Sequence, residues 1–123
     1  MQVNEPTAAG GRHAQRSWCP VACSLDVLGD RWSLLIIRDL LLGKTRYGQF
    51  LASAEGIPTN ILADRLKRLE EVGVVSSTAY GQQSRRKDYR LTAAGEALRP
   101  VIAALRDWGL NQFPGTRVLG SAQ

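Results

Sequence analysis

The sequence contains one histidine and two cysteines among 123 residues, which leaves few side chains for metal ligation or acid–base catalysis. The histidine, His13, lies in a polar, glycine-containing segment, where a lone imidazole cannot assemble a catalytic pair. The sequence has no recognisable pairing of histidine with serine or cysteine, and no glycine loop of the kind that cradles phosphate. We therefore expect no enzyme activity, no cofactor and no bound metal.

The sequence also lacks a run of about 18 apolar residues, the length that a membrane-spanning helix requires. Its longest apolar-rich stretch, residues 34–42, is interrupted by Arg38 and Asp39. The N-terminus does not show the charged-then-apolar pattern of a secretory signal. These features predict a cytoplasmic protein with no membrane partner, whose cysteines are reduced in the resting state.

Positive charge is concentrated in one part of the chain. Sixteen lysines and arginines against 11 acidic residues give a net charge of +5. Residues 44–90 hold nine of the basic and five of the acidic residues, so they carry four of the five excess charges. That concentration favours a polyanionic partner for this segment.

The length suits a single domain with one modest core. We predict a flexible arm over residues 1–15, a folded domain over residues 16–113 and a flexible tail over residues 114–123. The fold class is predicted to be mainly α-helical with a small β-hairpin.

Two helices are predicted to open the folded domain. Pro20 suits the first position of a helix, which makes Cys19 its N-cap and Gly29 its end. Asp30 is a suitable cap for a second helix over residues 31–42, which is apolar on nearly every side and is predicted to be buried.

A short helix, a turn and a longer helix are predicted next. Thr45 is a suitable N-cap for the short helix, and Gly56 marks the turn. Pro58 is placed near the first position of the longer helix, which Gly73 ends. The inward side of the short helix is predicted to comprise Tyr47, Phe50 and Leu51, and the buried stripe of the longer one Leu62, Leu66 and Leu69.

The longer helix has a polar outer side that suits DNA recognition. Asn60 can form a bidentate pair with adenine, and Arg65 can contact guanine or a phosphate. Asp64 fits this face if it pairs with an arginine or accepts from cytosine. The alternative is an ordinary solvated helix face. The DNA-binding candidates on this helix are Thr59, Asn60, Asp64, Arg65, Lys67 and Arg68.

A basic hairpin is predicted to follow. VVSSTAY and YRL are β-prone, and they flank the polar stretch GQQSRRKD. At a hairpin tip this basic run can reach a minor groove or flanking phosphates. The candidates there are Ser84, Arg85, Arg86 and Lys87. Arg46, at the start of the short helix, is a further candidate phosphate contact.

A last helix is predicted from its cap at Thr92 to Gln112, with a kink or a restart at Pro100. Its apolar stripe either packs within the monomer or pairs with a second copy, and we favour the dimer. The candidate dimerisation residues are Leu98, Val101, Ile102, Leu105 and Trp108, together with Val21 and Leu25 of the first helix.

Cys19 is a candidate sensor of oxidants. At a helix N-cap its sulfur lies at the positive end of the helix dipole, which favours the thiolate. Cys23, four residues on, can share a face with it. The alternative is a pair of ordinary structural thiols.

The motifs CPVACSLDVLGDRWSLLIIRDLLLG, RYGQF, GIPTNILADRLKRLEEVGVV, YRLTAAGEAL and ALRDWG together resemble the HxlR-type bacterial transcriptional regulators, within the MarR-like superfamily. The resemblance implies a winged helix-turn-helix homodimer joined through its terminal helices. It implies that Asn60 and Arg65 lie in the recognition helix and that Arg85 and Arg86 lie in the wing. In some members the cysteine that corresponds to Cys19 senses quinones, aldehydes or disulfide stress.

The expected function is sequence-specific regulation of transcription by a homodimeric repressor on a palindromic operator in double-stranded DNA. Its effector is either an oxidant that reacts with Cys19 or a small-molecule ligand. A winged-helix module that binds proteins instead of DNA is the alternative, and it predicts a neutral or acidic recognition face. The basic hairpin argues against it.

Overall fold

The computed structural model describes residues 16–81 and 83–118, and for residues 83–85 it describes the backbone only. The predicted arm over residues 1–15 lies outside the described residues, as does the tail beyond residue 118.

The first two helices are α1, Pro20–Leu28, and α2, Ser33–Leu41. Cys19 is the N-cap of α1, as predicted, with extended backbone angles. The prediction that α2 begins at residue 31 is wrong by two residues. The carboxylate of Asp30 accepts hydrogen bonds from the backbone N–H groups of Trp32 and Ser33, at 2.8 and 2.9 Å, and these contacts hold the chain in a turn before α2 begins.

The next two helices are α3, Tyr47–Leu51, and α4, Thr59–Glu71. Two predicted starts are wrong by one residue, since Arg46 is the N-cap of α3 and Pro58 is the N-cap of α4. Leu51 was predicted to face inward but is exposed, because α3 ends there. The buried stripe of α4 is confirmed, with Leu62, Leu66 and Leu69 at most 1% exposed.

An antiparallel hairpin follows, formed by β1, Val75–Tyr80, and β2, Gln83–Leu91. The prediction that residues 84–87 form the hairpin tip is wrong, because they belong to β2. The pairing extends to Tyr80 and Gln83, and Gly81, with φ of 68°, begins a tight turn between them.

The predicted last helix is divided into α5, Ala93–Glu96, and α6, Arg99–Gln112. Thr92 caps α5 as predicted, since its hydroxyl accepts from the N–H of Gly95 at 3.2 Å. The predicted restart is also confirmed: Pro100 lies in the first turn of α6, where its missing N–H leaves no hydrogen bond unmade.

One core joins α2, α3, α4 and the hairpin, with Ile37, Phe50, Leu62 and Val75 among its most buried members. Asp39 is buried inside this assembly and pairs with Arg38 and Lys44, at 2.9 and 3.5 Å. The core therefore fixes α4 and the hairpin relative to each other. Within the described residues, every helix is too short or too polar to cross a bilayer.

Candidate nucleic-acid interface

The outer side of α4 is polar and open to solvent over its first two turns. Because the leucine stripe faces the core, Thr59, Asn60, Ala63 and Asp64 are exposed. The Tyr47 hydroxyl donates to the backbone oxygen of Thr59 at 2.5 Å, which attaches the start of α4 to α3. The first turn of α4 is thus a fixed platform for short polar side chains.

Two arginines of α4 are held toward α1. Arg65 pairs with Asp64, and its Nε lies 3.2 Å from a carboxylate oxygen of Asp30. Arg68 donates to the backbone oxygen of Asp26 at 3.4 Å. Arg65 therefore ties α4 to the junction of α1 and α2. Lys67 is exposed and makes no ion pair within the described residues.

Asp30 is ionised in this arrangement. Its partial burial alone would raise its pKa, but hydrogen bonds from the Ser33 side chain and from the backbone of Trp32 and Ser33 oppose that effect. Together with the charge of Arg65, these contacts hold the pKa of Asp30 below its ordinary value of 3.8. The carboxylate thus remains available to Arg65 at neutral pH.

A cleft of about 670 Å³ separates α4 from the hairpin. Among the residues whose side chains are described, three cationic residues and no acidic residue line it. Arg46 projects from the start of α3, and Arg86 and Lys87 project from β2. Arg86 and Lys87 are exposed, so they can approach an anion that enters the cleft. The side chains of Ser84 and Arg85 lie outside the described part of the structure.

The cleft also contains residues that sequence reasoning missed. Tyr47, Tyr80 and Tyr89 line it together with Ala63. The guanidinium of Arg46 lies 3.6 Å from the centre of the Tyr80 ring, within the range of a cation–π contact. The sequence shows that Tyr47 and Tyr80 are present, but their position in one cleft depends on the tertiary packing of α3 against the hairpin.

The predicted dimerisation residues fall into two groups. Leu98 and Ile102 are half-buried and pack against the core of the monomer. The others are exposed, Val21 by 66%, Leu25 by 55% and Trp108 by 59%, with Val101 and Leu105 also open to solvent. The terminal helices α1 and α6 therefore carry an uncovered apolar surface, the kind that marks an interaction site.

The predicted sensor cysteine is exposed at the N-terminus of α1. Its backbone N–H donates to the Ser17 hydroxyl at 3.1 Å. Cys23 is half-buried, and its thiol donates to the backbone oxygen of Ser17 at 3.0 Å. Arg16, three residues before Cys19 in the sequence, pairs with Asp26 at 2.5 Å.

The order helix, turn, helix and antiparallel hairpin, with cations in the cleft between the last helix and the hairpin, defines a winged helix-turn-helix protein. Residues 27–116 match the family described as HxlR-like helix-turn-helix. The chain belongs to that family, and the predicted fold and resemblance are both confirmed.

Relatives support the same assignment. The chain is 42% identical over 94 residues to an uncharacterized HTH-type transcriptional regulator of Mycobacterium tuberculosis. The matched region covers 76% of this chain and 59% of that protein. This chain therefore spans less than two thirds of the length of that relative. A second relative, the uncharacterized HTH-type transcriptional regulator YdeP of Bacillus subtilis, is 35% identical over 91 residues, or 74% of this chain and 71% of that protein.

A solved structure gives the same fold. The redox regulator HypR in its reduced form superposes with a TM-score of 0.68 at 31% identity, covering 74% of this chain and 90% of that chain. The chain thus has the DNA-binding fold of transcriptional regulators.

Proposed function

We propose that this protein regulates transcription in the cytoplasm by binding operator DNA in a sequence-specific way. The observation that carries the proposal is the position of the cationic cleft directly beside the exposed first turn of α4. A helix that enters the major groove brings its first residues to the base edges, and the cleft then faces the adjoining phosphates.

Base reading is assigned to the start of α4. Thr59 and Asn60 are short and exposed. The Tyr47 hydroxyl is hydrogen-bonded to the backbone oxygen and the hydroxyl of Thr59, so the start of α4 needs little ordering when it contacts bases. Phosphate contact is assigned to Lys67, Arg86 and Lys87, together with Ser84 and Arg85. Arg65 and Arg68 are assigned to positioning α4, because their partners lie on the α1 side.

A dimer on a palindromic operator is the proposed assembly. Its support is the uncovered apolar surface on α1 and α6, which a two-fold related copy can bury. We further propose that the dimer is a repressor, since a bound dimer obstructs access to the DNA that it covers. Sedimentation of a strictly monomeric protein at micromolar concentration would contradict the dimer.

The experiment for DNA recognition is selection of bound duplexes from a random pool, followed by affinity measurements on the enriched site. Asn60→Ala should relax specificity at one base position by about 1–3 kcal/mol. The matched control is Asn111→Ala, which removes an exposed amide from α6 and should leave the preference unchanged. No enrichment of any duplex at low salt would overturn the proposal.

Response to oxidants through Cys19 is the proposed signal. Its support is the exposure of this thiol at a helix N-terminus and the similarity to HypR, a redox regulator solved in reduced and oxidized forms. Diamide should weaken operator binding by the wild type and by Cys23→Ser, but not by Cys19→Ser. Equal sensitivity in all three proteins would contradict the assignment.

The alternative of a module that binds proteins is disfavoured by the same cleft. Three cations around one concave surface match the negative charge of a phosphate backbone, which lysine and arginine side chains neutralise.

A further inference from the structure

An open groove of about 390 Å³ lies between the end of α2, one side of α6 and residues 116–118. Its lining is mainly apolar, and it includes Leu41, Leu42, Ile102, Leu105, Leu110 and Val118. Leu42 is 48% exposed and Leu110 is 39% exposed, so this surface is uncovered in the monomer. The volume falls in the range of about 300–1,000 Å³ that small-molecule sites occupy.

The charged residues of the groove all have one sign. In the described part of the chain, Arg38, Arg99, Arg106 and Arg117 line it, and no aspartate or glutamate does. The pairs of Arg99 with Glu96 and of Arg106 with Asp107 are exposed, so their exchange for another carboxylate costs little. Arg117 has no ion pair within the described residues. An apolar floor with a cationic rim fits a molecule with an apolar body and a carboxylate.

The groove lies mostly on a different side of α6 from Val101 and Trp108, although two predicted dimerisation residues, Ile102 and Leu105, also line it. At about 100° per residue, Val101 and Trp108 point within about 20° of each other on α6, whereas Ile102 lies about 100° away and Arg106 about 140° away. Leu105 lies at the border between the two surfaces. A second copy that covers Val101 and Trp108 therefore faces a different side of α6 from the groove.

Arg38 connects the groove to the helix-turn-helix. Arg38 lines the groove, and its guanidinium donates to both carboxylate oxygens of Glu55, at 2.8 and 3.0 Å, and to the buried carboxylate of Asp39 at 2.9 Å. Glu55 lies in the turn between α3 and α4. A carboxylate in the groove competes with Glu55 for Arg38, and it thereby acts on the turn that precedes the recognition helix.

We propose that this groove binds a small amphipathic carboxylate, and that its occupation weakens DNA binding. The effector role rests on the proposed function, whereas the binding site itself does not. Since the two equilibria share Arg38, bound acid lowers DNA affinity and bound DNA lowers acid affinity by the same factor.

The test is calorimetric titration of the full chain with 2-naphthoate, using 2-naphthylmethylamine as the probe of equal shape and opposite charge. The acid should bind and the amine should not. Arg117→Gln and Arg106→Gln should each weaken acid binding by about tenfold, the value of one charged hydrogen bond. Arg31→Gln, an exposed arginine outside the groove, should leave it unchanged.

The outcomes separate the site from the proposed function. Absence of naphthoate binding, equal binding of the amine, or binding unaffected by both groove variants would overturn the site. If naphthoate does not bind the wild-type protein and Leu42→Glu makes the protein monomeric, a second copy occupies the groove instead. If saturating naphthoate leaves operator affinity unchanged, the effector role is wrong. A protein that binds naphthoate but no duplex retains the site and loses the proposed function.

Discussion

Arg46 and Asp88 form an ion pair across the junction between the helix-turn-helix and the hairpin. Their backbones form an isolated antiparallel bridge, and the N–H of Tyr89 donates to the oxygen of Thr45 at 2.8 Å. The ring of Tyr80, on the neighbouring strand β1, contacts the same guanidinium at 3.6 Å. Arg46 was expected to contact phosphate, but these contacts also make it the link that sets the angle between the wing and α4.

Replacing Asp88 with asparagine separates positioning from charge. Removal of a carboxylate beside DNA should raise affinity for random duplexes, while the freed Arg46 no longer fixes the wing for the operator. We expect the ratio of operator to random-duplex affinity to fall by several-fold. Fluorescence anisotropy with both duplexes measures it. Asp107→Asn, on exposed α6, is the control, and an unchanged ratio for Asp88→Asn would show that the pair has no positioning role.

Arg86→Ala tests the wing as a phosphate contact. Each phosphate contact contributes about 0.9 to the slope of log affinity against log salt concentration, so its loss should reduce the slope by about that amount. Operator and random duplexes should weaken alike, because a phosphate contact carries no sequence information. Arg99→Ala, an exposed arginine of α6, is the control. An unchanged slope in Arg86→Ala would place the wing away from DNA.

Much of this fold is predictable from local signals in the sequence. Leu62, Leu66 and Leu69 can share only one side of a helix, which fixes the buried side of α4 and hence its outer side. Pro100 cannot donate to a preceding turn, so the helix restarts there. The cap at Thr92 follows from hydroxyl chemistry, and its hydrogen bond to Gly95 is present.

Other features depend on partners that are distant along the chain. Arg46 and Asp88 are 42 residues apart, and no local pattern indicates that they meet. Residues 84–87 have no apolar alternation. Lys87 pairs with Ala79 and Gln83 pairs with Tyr80, so residues 84–86 lie at a register shift that no local pattern indicates. The delayed start of α2 depends on which backbone groups Asp30 accepts from. The groove beside α6 arises only when α2 and residues 116–118 are packed together.

The pair of Arg38 and Glu55 should make stability depend on pH. The hydrogen bond from Arg38, opposed by partial burial, holds the pKa of Glu55 below its ordinary value of 4.5. Because the folded pKa is depressed, the stabilisation is fully present above pH 4.5 and is lost as pH falls through the folded pKa. Urea unfolding should show Glu55→Gln less stable than the wild type at pH 7 by about 1 kcal/mol. This difference should shrink as the pH falls below 4.5 and through the folded pKa of Glu55.

The control for that measurement is Glu96→Gln. Its pair with Arg99 is more than half exposed on both sides, so its removal should change the free energy of unfolding very little. A penalty for Glu55→Gln that stays constant from pH 7 down to pH 3 would contradict the ionic origin of the effect.

Gly95, in α5, lies close to Val74 and Leu91 at the base of the hairpin. A Cβ at this position would lie 2.3 Å from the backbone oxygen of Val74 and 2.7 Å from a methyl group of Leu91. Since the backbone oxygen cannot give way easily, Gly95→Ala should lower the free energy of unfolding by about 1–3 kcal/mol. At Gly109 an added Cβ would meet no described atom within 4 Å outside its own stretch of helix, so Gly109→Ala should raise the free energy of unfolding by up to about 1 kcal/mol. Equal effects of both changes in thermal denaturation would refute the close approach.

Trp108 is the most exposed residue of the α6 stripe, at 59%, and it packs edge-on against Phe113 with ring centres 5.8 Å apart. An exposed aromatic pair of this kind is typical of an anchor at an interface. Trp108→Glu should raise the dimer dissociation constant by about 30-fold or more, because a buried anchor contributes about 2 kcal/mol or more. Analytical ultracentrifugation measures it, with Leu51→Glu as an exposed apolar control outside the stripe. If both variants sediment like the wild type, the dimer is joined through a different surface. If only Trp108→Glu sediments as a monomer, its affinity for the operator should also be lower, because a monomer contacts one half-site.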